Sequence, residues 1–199
     1  MQAQRQPGKP SPATHSRPLP PPAADPLHER TLDARTVFQG RVLRLEVLDI
    51  LLPDGRRSTR EIVRHGDAVA VLARLADGRF LFVRQYRKAI ERAFLEVVAG
   101  ALDPGEPPDV AAHRELQEET GYRARRMLPL GATVACPGYS DERLHLFHAE
   151  LESRPGDTAQ DHDENIETVA LPPAAVEQAI RGGAIEDAKT LVCWLLWKL

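Results

Sequence analysis

The stretch from residue 100 to 122 constrains the fold most, because it combines helix boundaries with closely spaced carboxylates. It reads GALDPGEPPDVAAHRELQEETGY. Pro107 and Pro108 favour a helix start, where backbone N–H groups need no partner within the helix, and Gly121 favours a left-handed helix end. Glu115 and Glu119 lie one turn apart, on one face of the predicted helix. The stretch therefore predicts a loop, a helix and a second loop.

Charge is the notable property of this helix. Glu115, Glu118 and Glu119 are like charges within about one turn, an arrangement that destabilises an isolated helix. A divalent cation would compensate, and Mg²⁺ prefers a few carboxylates together with substrate phosphates. The alternative is a solvated acidic face on an ordinary surface helix. The spacing alone leaves both interpretations open.

The same spacing resembles a family motif, the Nudix box. Gly100, Glu106 and the segment 114–122, RELQEETGY, match its defining positions, and only Tyr122 stands where a small aliphatic residue is commoner. The family hydrolyses nucleoside diphosphates linked to another group and holds Mg²⁺ or Mn²⁺ on the glutamates of the box. The resemblance implies a metal site made of the Ala99 carbonyl, Glu115, Glu118 and Glu119.

A pyrophosphate hydrolase also needs a base that deprotonates the attacking water. Relatives take it from an acidic loop after the last core strands, which here is residues 160–167, QDHDENIE. The resemblance implies Glu164 as the base, with His162 standing where some relatives carry another glutamate. A box glutamate is the alternative base, and a merely solvated loop is the other alternative. The implied catalytic residues are Glu164, Glu118 and Arg114, of which Arg114 orients the glutamates through charge-assisted hydrogen bonds.

Four segments outside the box resemble the ADP-ribose pyrophosphatase branch. They are RQYR at 84–87, FLEVVAG at 94–100, Pro137, and GAIEDAKTL at 183–191. This resemblance implies cleavage of ADP-ribose to AMP and ribose 5-phosphate, and an intertwined homodimer. The alternatives are another nucleoside diphosphate sugar, a dinucleoside polyphosphate, and a non-catalytic ADP-ribose-binding module.

Candidate substrate-binding residues follow from the branch resemblance. Arg84 and Arg87 are an odd interval apart on a predicted strand, so they point to opposite faces and at most one reaches the pyrophosphate. The resemblance favours Arg84 and leaves Arg87 as a surface or interface residue. Glu96 is a candidate for a ribose hydroxyl or for a structural ion pair. The candidate set is Arg84, Glu96, Ser140, Asp141 and Glu142.

Strand and helix patterns interleave without regular βαβ units, which favours an α+β fold. Two hairpins are predicted, one over Thr36–Arg64 with a Pro-Asp-Gly turn, and one formed by residues 68–76 and 79–87 around Asp77-Gly78. Further strands are predicted at 94–99, 127–135, 143–151 and 168–171, with helices after Pro172-Pro173 and from Asp187. The resemblance implies the Nudix fold, an α/β/α sandwich around a mixed β-sheet, with an extra N-terminal antiparallel β-hairpin.

The predicted domains are a disordered tail over 1–26, dimerisation strands over 27–66 and a catalytic core over 67–199. The tail carries eight of the seventeen prolines and almost no large apolar residues, so it cannot offset its ordering entropy. A net charge of −3 gives no reason to expect nucleic acid or an anionic membrane as a partner. Two cysteines without disulfide or zinc spacing indicate a cytoplasmic protein with reduced thiols.

Overall fold

A computed structural model describes residues 25–156 and 165–199, and these residues form ten strands in two sheets with three α-helices. The strands are β1 (Arg30–Gln39), β2 (Arg44–Leu51), β3 (Arg57–Arg64), β4 (Asp67–Arg74), β5 (Phe80–Arg87), β6 (Arg92–Glu96), β7 (Val98–Ala101), β8 (Ala124–Val134), β9 (Arg143–Leu151) and β10 (Ile166–Leu171). The helices are α1 (Pro108–Thr120), α2 (Pro173–Arg181) and α3 (Ala188–Lys198).

The N-terminal sheet contains the predicted hairpin and one strand more. β2 and β3 pair antiparallel across a turn in which Gly55 has φ 86°. β1 adds a third strand to the free edge of β2, and all ten of its residues are exposed. Sequence reasoning missed β1 because charged residues interrupt its alternation of apolar and polar side chains, so that no apolar face marks it as a strand.

The main sheet has the order β10-β5-β4-β9-β8, with β6 on β5 and β7 on β4. β4 and β9 run parallel and the other pairs run antiparallel, so the sheet is mixed. Side chains on one face of the sheet, such as Val69 and Val71, pack against Leu116 of α1. Side chains on the other face, such as Leu72, pack against Trp194 of α3. The expected α/β/α sandwich is confirmed.

Two strand predictions differ in detail from the structure. The hairpin of β4 and β5 pairs only at Ala73–Arg74 with Phe80–Leu81, because β7 occupies the rest of that β4 edge. The single strand predicted over 94–99 is divided at Val97 into β6 and β7. This division passes the chain from the edge of β5 to the edge of β4 and brings Gly100 beneath α1.

Helix boundaries agree closely with the sequence signals. α1 begins behind Pro107 and ends at Gly121, which has φ 72° and donates its N–H to Gln117. α3 begins at Asp187, whose side chain accepts the Thr190 N–H. Both cysteines are free thiols, and burial raises the pKa of Cys193 to about 12. Within the described parts of the chain, no helix is both long and apolar enough to cross a bilayer.

Candidate active site

Arg114 is the centre of the charged network on α1. Its Nε and Nη2 donate to the two oxygens of Glu106 at 3.0 and 2.8 Å, and its Nη1 donates to Glu115 at 2.6 Å and to Glu118 at 3.0 Å. Nη2 also donates to the Ala101 carbonyl at 3.1 Å. We call Arg114, Glu106, Glu115 and Glu118 the acidic cluster. One guanidinium therefore fixes three carboxylates and ties the helix to β7.

Ionisation states in the acidic cluster follow from these contacts. The Arg114 hydrogen bonds hold the pKa of Glu106 at about 2, below its ordinary value of 4.5. The same bonds, led by the one to Glu106, raise the pKa of Arg114 above its ordinary value. Because three carboxylates face one cation, the cluster keeps an excess of negative charge.

Gly100 is the point at which β7 meets this cluster. A Cβ placed on Gly100 would overlap the carboxyl group of Glu115. Only glycine therefore lets Glu115 lie directly against the backbone between Ala99 and Ala101. Glu119, one turn further along α1, is 3 % exposed. The tight approach sets the carboxylates of α1 beside the main-chain carbonyls of β7.

A cavity of about 490 Å³ opens beside β7, at the end of the sheet where β4 begins. It reaches from Ala99, Gly100 and Ala101 to the start of α3, and its titratable lining residues are His65, Arg87, Glu142, Asp187 and Lys189. The cavity is therefore lined both by the main chain that enters the box stretch and by side chains of mixed charge, among them the cations Arg87 and Lys189.

Arg87, and not Arg84, lies on this cavity. Arg87 donates from Nε and Nη2 to the two oxygens of Glu96 at 2.7 and 2.8 Å, a bidentate pair next to Ala99. Arg84 is paired with Glu167 of β10 at 2.9 Å on an exposed surface. The pleat of β5 sends the two side chains to opposite faces, and only the face shared with Glu96 of β6 borders the cavity. A substrate contact by Arg84 thus gains no support from the geometry.

Glu96 carries the structural ion pair that the sequence left as an alternative to a ribose contact. It is 2 % exposed and also accepts from Lys189 of α3. Burial alone would raise the pKa of Glu96, but Arg87 and Lys189 outweigh burial and lower it. Lys189 donates in addition to Asp187 at 2.9 Å. We call Arg87, Glu96, Asp187 and Lys189 the balanced cluster, because it holds two cations and two carboxylates.

The loop that carries Ser140, Asp141 and Glu142 connects the N-terminal sheet to the core. Asp141 accepts the His65 N–H at 3.0 Å and a bond from Arg64 at 3.2 Å, which together lower its pKa against the effect of burial. The Ser140 hydroxyl accepts the Glu142 N–H at 3.2 Å. Glu142 alone of the three lines the cavity, 3.6 Å from the His65 ring.

Glu164 and His162 lie outside the described residues, so the base stays a prediction. Sequence reasoning missed Arg87 as a cavity residue and Lys189 altogether. A signal for Arg87 was present, since it lies nine residues before Glu96, a distance that lets adjacent antiparallel strands bring the two together. No local pattern links Lys189 to Glu96, because they are 93 residues apart in sequence.

The NUDIX domain model matches residues 64–195. The chain belongs to the Nudix family. This match contains the acidic cluster, β7 and the cavity, and extends through most of α3.

Nudix relatives and a related solved structure cover most of this chain. A methanol dehydrogenase activator of Bacillus methanolicus is 41% identical over 165 residues, 82% of this chain and 89% of that protein. An ADP-ribose pyrophosphatase of Bacillus subtilis is 40% identical with the same coverage. The crystal structure of an ADP compounds hydrolase superposes with a TM-score of 0.77 at 25% identity, covering 85% of this chain and 92% of the other.

Nudix hydrolases generally use divalent metal ions, and the residues of the box fit such an ion. The atoms that would hold it are the carboxylate oxygens of Glu115, Glu118 and Glu119 and the Ala99 carbonyl, all hard oxygen ligands. Among residues 25–156 and 165–199, no group of three or more histidine, cysteine, aspartate or glutamate side chains is arranged to hold a metal ion by itself. The acidic cluster, with three carboxylates on one guanidinium, is consistent with a metal bound partly by protein and partly by phosphates.

Proposed function

We propose that this Nudix hydrolase cleaves the pyrophosphate of ADP-ribose to AMP and ribose 5-phosphate. The observation that carries the proposal is that β7 brings two kinds of charged group together, with the acidic cluster against Gly100 and Arg87 beside the cavity that Ala99, Gly100 and Ala101 line. A pyrophosphate that brings a divalent cation suits this pairing, because the cation meets carboxylates while the phosphates meet a guanidinium. The 40% identity to an ADP-ribose pyrophosphatase supports the choice of substrate.

The reaction adds water across the P–O–P linkage. A water oxygen bonds to one phosphorus, the bond from that phosphorus to the bridging oxygen breaks, and the water's proton passes to a base. We assign this base to Glu164. A bound Mg²⁺ supplies acidification of water and neutralisation of phosphate oxygens. The protein's own residues hold the geometry, with Arg114 fixing Glu115 and Glu118 and Glu96 fixing Arg87.

Mg²⁺ is the proposed cofactor, and Mn²⁺ is a possible substitute. The support is the all-oxygen donor set of Glu115, Glu118, Glu119 and the Ala99 carbonyl. Chelation with EDTA should abolish turnover, and titration with Mg²⁺ or Mn²⁺ should restore it while Ca²⁺ should restore little. Full turnover in metal-free protein would contradict this assignment.

A substrate panel tests the proposed reaction. Purified protein is incubated with saturating Mg²⁺ and ADP-ribose, a GDP-sugar, a UDP-sugar or a dinucleoside polyphosphate, and the products are separated by chromatography. We expect the highest kcat/KM with ADP-ribose and equal amounts of AMP and ribose 5-phosphate. A higher value with another compound would identify the alternative substrate, whereas binding of ADP-ribose without turnover would identify a sensing module.

We also propose a homodimer in which residues 27–66 are buried between subunits. In one chain β1 is exposed along its whole length, and it carries Val37 and Phe38 at 45% and 56% exposure, with Val42 in the following turn at 62%. These apolar residues on a sheet edge favour a second copy as the occupant, because an unpaired edge is otherwise open to aggregation. Light scattering at micromolar concentration should give twice the chain mass. Phe38→Asp should weaken the dimer, whereas Arg181→Asp at the exposed end of α2, outside residues 27–66, serves as the charge control.

The remaining proposals concern location and the tail. Two free thiols, one of them buried, support a reducing compartment such as the cytoplasm. The proposed domain division keeps residues 1–26 as a tail and assigns catalysis to residues 67–199. Neither nucleic acid nor a membrane is proposed as a partner.

A further inference from the structure

Glu96 is the most enclosed carboxylate beside the cavity, and three donated bonds converge on it. Two come from Arg87, as described, and the third comes from the Nζ of Lys189 at the start of α3. The side chain of Lys189 is 14% exposed, so it is largely withdrawn from solvent. A buried lysine loses several favourable interactions with water, and it therefore needs carboxylate partners to stay charged.

The position of Lys189 is fixed by the first turn of α3. Asp187 caps the helix by accepting the Thr190 N–H at 3.0 Å and the Thr190 hydroxyl at 2.5 Å. Its other oxygen accepts from Lys189. The Thr190 hydroxyl oxygen accepts the Val97 N–H at 2.9 Å, where β6 ends and β7 begins. The helix start, the strand break and the buried carboxylate thus form one connected unit.

Lys189 decides the charge that the balanced cluster presents to a substrate. With Lys189 present, two cations offset Glu96 and Asp187. Without it, Arg87 would be the only cation beside two carboxylates, and the cavity wall would repel a pyrophosphate. Arg87 uses Nε and Nη2 on Glu96, which leaves Nη1 as a donor with no protein acceptor among the described residues. Nη1 of Arg87 attracts a phosphate only while the negative charge of Glu96 is also neutralised by Lys189.

We propose that Lys189 is a positioning residue: it compensates Glu96, so that Arg87 keeps its orientation and its effective positive charge toward the substrate pyrophosphate. The inference rests on the proposed function only in requiring a pyrophosphate-bearing ligand. Lys189 acts through Glu96 and Arg87, whereas the acidic cluster is left unchanged.

Lys189→Met, Lys189→Gln and Lys189→Arg are compared with wild type by steady-state kinetics at saturating Mg²⁺. We expect the Met and Gln variants to raise KM about tenfold, the size of one lost charge-assisted contact, with kcat changed less than threefold. Arginine should recover most of the affinity because it restores the charge. Lys198→Met is the matched control, since Lys198 lies on the same helix and pairs with the half-buried Glu177 of α2, away from Glu96. It should leave both constants unchanged.

A double-mutant cycle with Glu96→Gln separates positioning from direct contact. If Lys189 acts through Glu96, then Lys189→Met should have little further effect once Glu96 is neutral. An equal loss in both backgrounds would overturn the proposal and make Lys189 a direct ligand of the substrate. Unchanged KM in the Met and Gln variants would overturn it too.

The binding of ADP, measured by titration calorimetry, keeps this test independent of the substrate assignment. Wild-type protein that binds ADP but hydrolyses none of the panel would refute the proposed function, yet the ratio of ADP affinities in the variants would still decide the role of Lys189. Unfolding temperatures identify any variant that does not fold. In that case the Gln variant, which keeps a hydrogen-bond donor, and the Arg variant provide the comparison.

Discussion

The acidic cluster and the balanced cluster both lie near the short strand β7, but they differ in their ratio of cations to carboxylates. In the acidic cluster one arginine serves three carboxylates, and the surplus negative charge is left for a cation. In the balanced cluster two cations serve Glu96 and Asp187, and a guanidinium edge is left for an anion. The contrast shows how the surroundings of β7, whose backbone at Gly100 lies against Glu115, can combine an excess of carboxylates suited to a metal with a guanidinium suited to a phosphate.

The largest expected effect concerns the catalytic base, which belongs either to the acidic cluster, as Glu118, or to the loop 160–167, as Glu164. Glu118 accepts a bond from Arg114 at 3.0 Å and is assigned to the metal, which leaves the loop carboxylate of Glu164 to accept the proton of the water. We therefore expect Glu164→Gln to lower kcat and kcat/KM together by about 10²–10⁴-fold, the usual value of general-base catalysis. Steady-state hydrolysis of ADP-ribose between pH 6 and 9 measures this. If Glu118→Gln loses kcat while Glu164→Gln keeps it, the base belongs to the box helix.

Next in size is the loss of a metal carboxylate from the acidic cluster. Glu115→Gln or Glu119→Gln should lower kcat/KM by about 10²–10³-fold, because a few kcal/mol of metal-dependent stabilisation is removed. The folded state should persist, and its melting temperature without metal should be equal or higher, since a like-charge repulsion disappears. Asp109→Asn, an exposed substitution in the first turn of the same helix, is the control. Wild-type turnover in either glutamate variant would refute the metal assignment.

A smaller effect is expected at the balanced cluster. Arg87→Lys should raise KM about tenfold with a modest change in kcat, because an ammonium cannot keep the bidentate contact to Glu96 and still reach a phosphate. Arg84→Lys should leave kinetics unchanged, since Arg84 lies on the other face and pairs with Glu167. The reverse result would return the pyrophosphate contact to Arg84.

Sequence reasoning was accurate where the signals were local. The start of α1 behind Pro107, its end at Gly121, the β2–β3 hairpin and the boundaries of β9 all depend on residues next to one another in the chain. The association of Arg114 with the box glutamates was foreseen from the family pattern and is present in the structure. These features need no knowledge of which distant segments meet.

What escaped the sequence depends on distant pairing. β7 takes the place of β5 along most of one edge of β4. On the other edge β4 pairs in parallel with β9, whose residues are about 76 positions away in sequence. No turn motif predicts either pairing. The different positions of Arg84 and Arg87 have the same origin, because they depend on which face of β5 also carries Glu96. Pleat parity gave the opposite directions correctly, but only the tertiary structure says which direction faces the cavity.

Acid stability should separate the two clusters by burial. Folding lowers the pKa of both Glu96 and Glu106 below the ordinary value of 4.5, to about 2 for Glu106. Each ionised carboxylate therefore stabilises the folded protein above pH 4.5, and this stabilisation is lost as the pH falls toward the folded pKa. Unfolding free energies from denaturant titrations should therefore decline below pH 4.5. Glu96→Gln should flatten this decline more than Glu106→Gln, because the Glu96 side chain is 2% exposed whereas that of Glu106 is 11% exposed and is screened more by solvent. Equal slopes in both variants would show that burial does not distinguish them.

The smallest effect is expected from the N-terminus. Removal of Met1 to Pro26 should change neither kcat/KM nor the melting temperature appreciably, because the segment has almost no large apolar residues to bury. Differential scanning calorimetry and the ADP-ribose assay measure both quantities. A fall of several degrees after truncation would show that the tail packs on the domain.

The bond between Val97 and Thr190 has a consequence for the order in which a growing chain acquires activity. During translation the box stretch is complete once residue 122 has been made, yet the strand that passes beneath its helix is anchored by the Thr190 hydroxyl, which is made much later. A nascent chain that has not yet reached Lys189 therefore contains each box glutamate but has no Thr190 anchor and no Lys189 beside Glu96. Such a chain should be inactive although its box is complete.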